Sequence, residues 1–155
     1  MTPGSRDAVE VRLLRLPEGR DLPAPRQETD LAAGFDLRAR VEDSLELAPG
    51  ARALVPTGVA LALPPSCEGQ VRPRSGLAVR HGLTLLNSPG TIDADYRGEI
   101  QVVLINLGHE PVTLRRGDRI AQLVVQRLPQ VRLTEVEALR ETSRGSGGFG
   151  HTGER

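Results

Sequence analysis

Short runs of Val, Leu, Ile and Ala recur along the chain between turn-forming Gly, Pro and Asp residues. They predict strands over Val9–Leu16, Ser44–Ala48, Arg52–Val55, Val59–Leu63, Gly98–Leu107, Pro111–Leu114, Arg119–Leu128 and Val131–Val136. Pro49-Gly50 and Arg116-Gly117-Asp118 punctuate them as turns. Strands this short and closely spaced predict a sandwich, a barrel or a jelly roll. One short helix is predicted over Gly76–Arg80, with Gly82 as its stop. From about Glu137 the pattern fades, and Arg144 to Gly153 (RGSGGFGHTG) holds five glycines in ten residues, too few apolar groups to pack a core. Its Arg144 and Phe149 fit an arm that orders over a ligand, where a plain Gly/Ser tail would carry neither.

Composition narrows the chemistry. The 155 residues amount to one ordinary domain, and 20 basic residues balance 20 acidic ones for a net charge of +0, so no global field draws the chain to nucleic acid or an anionic membrane. All the basic residues are arginine, which excludes a P-loop lysine and Schiff-base chemistry. With no Trp, two Phe and one Tyr, the core has to be aliphatic, and a single copy of it would be marginal without oligomerisation. Cys67 is the only cysteine, so there is no internal disulfide or cysteine-based zinc site, as suits a reducing compartment. No signal peptide or spanning segment is evident, and the expected location is cytoplasmic.

Several stretches carry candidate chemistry. Arg72-Pro73-Arg74-Ser75-Gly76 sets two guanidiniums and a hydroxyl before the predicted helix, which suits a phosphate or a solvated arginine pair. Asp93 and Asp95 would share one face of an extended chain, as a metal or base pair or as part of a polar hairpin turn. The scarce rings Phe35, Tyr96 and Phe149 all neighbour Gly or Asp. Phe149 suits stacking on a nucleobase, and Phe35 suits a packed strand start. The three histidines are read as structural or incidental, and the sequence lacks the signature of a zinc nucleotide deaminase.

Taken in order, AGFDLRA (Ala33 to Ala39), RPRSGLA (Arg72 to Ala78), NSPGTIDADYRGEI (Asn87 to Ile100), RGDRIAQLV (Arg116 to Val124) and RGSGGFGHTG (Arg144 to Gly153) closely resemble the five motifs of trimeric deoxyuridine triphosphatases. The resemblance implies an all-β, jelly-roll-like (β-clip) subunit with one short helix. It implies a domain over residues 1–142, a closing Gly-rich arm over 143–155, and a homotrimer whose active sites draw on all three chains. The implied reaction is hydrolysis of dUTP to dUMP and pyrophosphate by in-line attack of water on the α-phosphorus. That reaction limits uracil incorporation into DNA and supplies dUMP for thymidylate synthesis. Mg²⁺ would be held mainly by the triphosphate and water.

By the same resemblance Asp93 is the catalytic base. Arg74, Ser75, Gly76, Gln122 and Arg144 contact phosphates. Asn87, Thr91 and Ile92 belong to the uracil-binding hairpin, Tyr96 packs under the deoxyribose and Phe149 closes over the base. Asp36 supports the phosphate and metal network. Gln101 stands where the family often has Lys, and His151 where Ser is common. Two alternatives remain on the same scaffold: a dCTP deaminase or bifunctional relative, which the Phe149 tail opposes, and a non-catalytic nucleotide-binding trimer, which retention of Asp93, Arg74, Gln122 and Arg144 opposes.

Overall fold

The computed structural model describes residues 8–148. Its regular elements are β1 (Arg12–Arg15), β2 (Phe35–Arg38), β3 (Ser44–Leu47), β4 (Arg52–Ala62), β5 (Cys67–Arg72), α1 (Ser75–His81), β6 (Leu83–Leu85), β7 (Gly90–Ile92), β8 (Glu99–Asn106), β9 (Val112–Arg115) and β10 (Arg119–Arg127), with one 3-10 turn at Pro17–Gly19. The strands form two four-stranded antiparallel sheets, ordered β1-β4-β8-β6 and β2-β10-β5-β7, and a two-stranded ribbon of β3 and β9. The fold is therefore mostly β with one short helix.

All three sheets feed one aliphatic core. Val55, Leu61, Val102 and Leu104 come from the first sheet, Leu37, Val71 and Leu123 from the second, and Leu47 and Leu114 from the ribbon. Period-two alternation carries this: β5 reads Cys67, Gly69 and Val71 inward against Glu68, Gln70 and Arg72 outward. Among the described residues the two buried polar side chains are satisfied. Asn106 Nδ2 donates to Leu47 O (2.9 Å) and Glu110 O (2.8 Å), and Thr57 Oγ1 donates to Ile100 O (2.6 Å). Each ties a loop or strand edge to the core, where an unpaired polar atom would cost about 1–3 kcal/mol.

Three departures from the predicted elements have physical causes. The runs Arg52–Val55 and Val59–Leu63 are one strand, β4, whose register against β8 shifts between Pro56 and Ala60. Gly58 takes a left-handed conformation there (φ 75°), so the break in pattern marks a bulge and not a turn. The predicted strand Val131–Val136 is absent: Val131, Leu133 and Val136 are 73%, 93% and 57% exposed, with no strand beside them among the described residues. Alternation gives a segment a face but supplies no pairing partner. Strand β2 begins at Phe35, the residue read as a packed strand start, whereas β5, β6 and β7 lie outside the predicted strands, being short or rich in polar residues. The helix matches its prediction to within a residue at each end, and Gly82 caps it in the left-handed region (φ 67°) with its N–H donating to Ala78 O.

Candidate active site

A hairpin builds the first of two cavities. Strand β7 pairs with the edge of β5, with Val71 opposite Gly90 and Gly69 opposite Ile92, and this seats the loop that follows. The resulting cavity, about 220 Å³, is lined by residues that include Asn87, Thr91, Ile92, Asp93, Tyr96, Glu99 and Gln101. The Ser88–Pro89 peptide before β7 is cis. After Ile92 the chain turns: Tyr96 N donates to Asp93 O (3.1 Å), and the Arg97 guanidinium braces the turn through Ala94 O (2.6 Å) and Tyr96 O (2.9 Å).

Of the two readings of Asp93 and Asp95, the structure has the polar turn and not the extended pair sharing a face. The chain is not extended here, and Asp93 lines the cavity while Asp95 does not. The Tyr96 ring folds back over Gly98, where a Cβ would come within 2.6 Å of its Cζ. Its hydroxyl donates to Glu99 O (3.0 Å).

Glu99 itself is tied down. Its carboxylate accepts from Arg40 Nε (3.0 Å) and Nη2 (3.1 Å) and from Gly58 N (2.7 Å). Burial alone would raise its pKa, but the bonds from Arg40 and Gly58 and the guanidinium charge outweigh burial and hold the carboxyl below its ordinary value. The bond to Glu99 raises the pKa of Arg40 correspondingly.

The second cavity, about 240 Å³, lies on the other sheet and is lined by residues that include Gly34, Asp36, Arg74, Ser75, Gly76 and Gln122. Register explains the grouping. Gln122 of β10 stands opposite both Asp36 of β2 and Arg72 of β5, so the three side chains leave one face of the sheet in a row. Pro73 then ends β5, and Arg74 precedes α1. The nearly buried Asp36 carboxylate faces two guanidiniums, Arg119 Nη1 at 3.0 Å and Arg74 Nη2 at 3.5 Å. Arg74 Nη1 also donates to Arg119 O (3.1 Å), and Gln122 Nε2 donates to Pro73 O (3.0 Å). Two forks fixed in place beside a hydroxyl and a glycine backbone are matched to phosphate oxygens.

Arg119 and Glu28, whose carboxylate lies 3.5 Å from Arg119, were not among the predicted site residues, and neither was Glu99. Strict alternation puts Arg119 on the face opposite Gln122, three residues away. A register shift between Arg119 and Ala121 reverses this. Its one sequence signal is its place inside RGDRIAQLV.

The two cavities share no lining residue. Gln101 belongs to the hairpin cavity and not to the arginine one. Arg144 is exposed, with Nε donating to Gly147 O (2.9 Å) inside its own turn, and Phe149 and His151 lie outside the described residues. Among the described residues no three His, Cys, Asp or Glu side chains converge as a metal cage. Nor is any helix of the described residues long and apolar enough to cross a membrane.

Comparison with known proteins points one way. A sequence model of the dUTPase family matches residues 20–153. The deoxyuridine 5'-triphosphate nucleotidohydrolase of Anaeromyxobacter sp. (strain Fw109-5) is 60% identical over 146 residues, covering 94% of this chain and 98% of that protein. The enzyme of the same name from Caldanaerobacter subterraneus subsp. tengcongensis is 49% identical over 94% of this chain and 99% of its own length. Among solved structures, a Staphylococcus bacteriophage 80alpha dUTPase variant with dUpNHpp superposes with a TM-score of 0.79 at 24% identity, over 93% of this chain and 98% of that one. A dUTPase variant from phage phi11 of S. aureus, described with a structural Mg(II) ion, gives 0.74 at 21% identity, over 83% and 97% of the two chains.

Proposed function

Because this chain belongs to the dUTPase family, we propose that its hairpin cavity and its arginine cavity are the nucleoside and phosphate halves of one dUTP-hydrolysing site. The chain is a hydrolase acting on dUTP. The observation that carries the finer reading is the separation itself: a carboxylate and a ring line one cavity, and the two fixed guanidiniums line another with no residue in common.

In this reading uracil enters the hairpin, bonded by Asn87 and the backbone of Thr91 and Ile92. Cytosine would present an amino donor where uracil has an acceptor, a mismatch that discriminates sharply. Tyr96 packs under the deoxyribose. Asp93 orients a water against the α-phosphorus and takes its proton, general-base help of ~10²–10⁴-fold. Arg74, Ser75, Gly76 and Gln122 hold the triphosphate, with Asp36 fixing Arg74 and Arg119 as preorganised donors. Arg144 and Phe149 arrive with the arm, on charge and on the base respectively. Mg²⁺ bound with the triphosphate would supply further charge neutralisation, and Asp36 would support that phosphate and metal network by holding the two guanidiniums in place.

Assembly completes the proposal. A homotrimer of jelly-roll-like subunits would bring the hairpin of one copy to the arginines of another, and the outer face of the first sheet suits such contact. Leu54 stands opposite Val103, and Leu86 N bonds to Val103 O, so three aliphatic side chains form an outward row with Leu54 57% and Leu86 51% exposed. A pyrophosphate-release assay with Mg²⁺ across dUTP, dTTP, dCTP and UTP tests the reading. Turnover of dUTP alone supports it, and comparable turnover of dTTP or UTP overturns the assigned hairpin. Ammonia release from dCTP would favour the deaminase instead.

A further inference from the structure

We infer that Glu99 and Arg40 form a positioning pair that holds the Tyr96 ring and thereby sets the rejection of ribonucleotides; this rests on the reading of Tyr96 as the residue under the sugar. A ring excludes a 2′-hydroxyl only if it stays where it is, and Tyr96 is 45% exposed. Two things hold it: its packing over Gly98 and the bond from its hydroxyl to Glu99 O (3.0 Å). The sugar-side surface is therefore only as rigid as the backbone at Glu99.

That backbone sits at a weak point. Glu99 opens β8 opposite Ala60, just where the β4–β8 register shifts and Gly58 turns left-handed. A bulge leaves backbone groups without ladder partners. The Glu99 carboxylate substitutes for the missing rung by accepting from Gly58 N (2.7 Å), and the Arg40 fork clamps it from the far side. Arg40 is itself anchored, its N–H donating to Pro56 O (2.8 Å). The pair is mostly buried, with side chains 23% and 16% exposed, so its geometry is fixed. Arg40 does not line the hairpin cavity, and it reaches the sugar side only through Glu99.

The test is the ratio of kcat/KM for dUTP to that for UTP, measured on Tyr96→Ala, Tyr96→Phe, Arg40→Met, Arg40→Lys, Glu99→Gln and the Arg40→Met/Glu99→Gln double variant, each checked for folding by circular dichroism. Tyr96→Ala should lower the ratio most. Tyr96→Phe, which keeps the ring and loses the bond, and Arg40→Met should each lower it about three- to tenfold, the scale of one lost hydrogen bond. Arg40→Lys should recover part of the loss, and the double variant should fall no further than Glu99→Gln alone. A folded Arg40→Met with an unchanged ratio, beside a lowered one in Tyr96→Ala, overturns the positioning pair and leaves the sugar-side role of Tyr96 standing. An unchanged ratio in Tyr96→Ala removes both. Should Glu99→Gln fail to fold, the Arg40 and Tyr96→Phe variants decide the matter alone.

Discussion

Gln122 rests against the bare α-carbon of Gly34: a Cβ there would lie 2.6 Å from the glutamine Oε1 and 3.1 Å from its Cβ. The glutamide is thus aimed into the arginine cavity by the lack of a side chain one strand away. Gly34→Ala should push Gln122 off Pro73 O and out of line with Asp36. We expect kcat/KM for dUTP to drop roughly tenfold, comparable with one bond to a charged group. Gln122→Ala should reproduce that loss, and adding Gly34→Ala to it should cost little more.

The turn that separates Asp93 from Asp95 gives them unequal weight. Asp93→Asn keeps the shape of the side chain and removes its proton acceptor, so kcat should fall by ~10²–10⁴-fold with dUTP affinity nearly intact. Asp95→Asn should change kcat by less than about twofold, the size of a surface substitution. Single-turnover pyrophosphate release and calorimetric binding measure the two effects. The reverse order would exchange their roles.

Glu99 makes stability depend on pH. Its folded pKa lies below the ordinary carboxylate value, so the stability it contributes is complete above that ordinary value and is lost as pH falls through the folded pKa. Melting of the native protein and of Glu99→Gln should therefore differ at pH 7 and converge as pH falls below the ordinary carboxylate range. A gap that widened on acidification would contradict the sign.

Removing residues 143–155 should leave the subunit folded, because the part of the arm that is described, including Arg144, is mostly exposed and its hydrogen bonds run within the arm or to the adjoining Thr142. Activity should fall severely. Arg144→Ala should lower kcat more than it raises KM, since the charge it meets grows as pyrophosphate departs. A non-hydrolysable dUTP analogue with Mg²⁺ should protect the arm from protease, and dUMP should not.

Much of the fold was legible because alternation reports which face of a strand is buried. Strand β8 and the paired strands β3 and β9 follow from it directly, and Gly82 marked the end of the helix. Alternation does not report partners, so Val131–Val136 looked like a strand and is an exposed segment. It also fails at bulges: the pattern of β4 reads as two strands, and strict alternation would turn Arg119 away from Gln122. The candidate site residues are read from five ordered motifs and not from alternation. Glu99 escaped because its importance comes from Arg40, 59 residues away in sequence, and from a bulge glycine that looks like any turn residue.

Two cavities with disjoint linings have a genetic reading. On the proposed assembly, a chain carrying Asp93→Asn is damaged only in its hairpin half and a chain carrying Arg74→Ala only in its cradle half. When the two inactive chains are co-expressed in equal amounts and assemble at random, about a quarter of the sites would join an intact hairpin to an intact cradle. Two null alleles would then complement one another, while two alleles damaged in the same cavity would not.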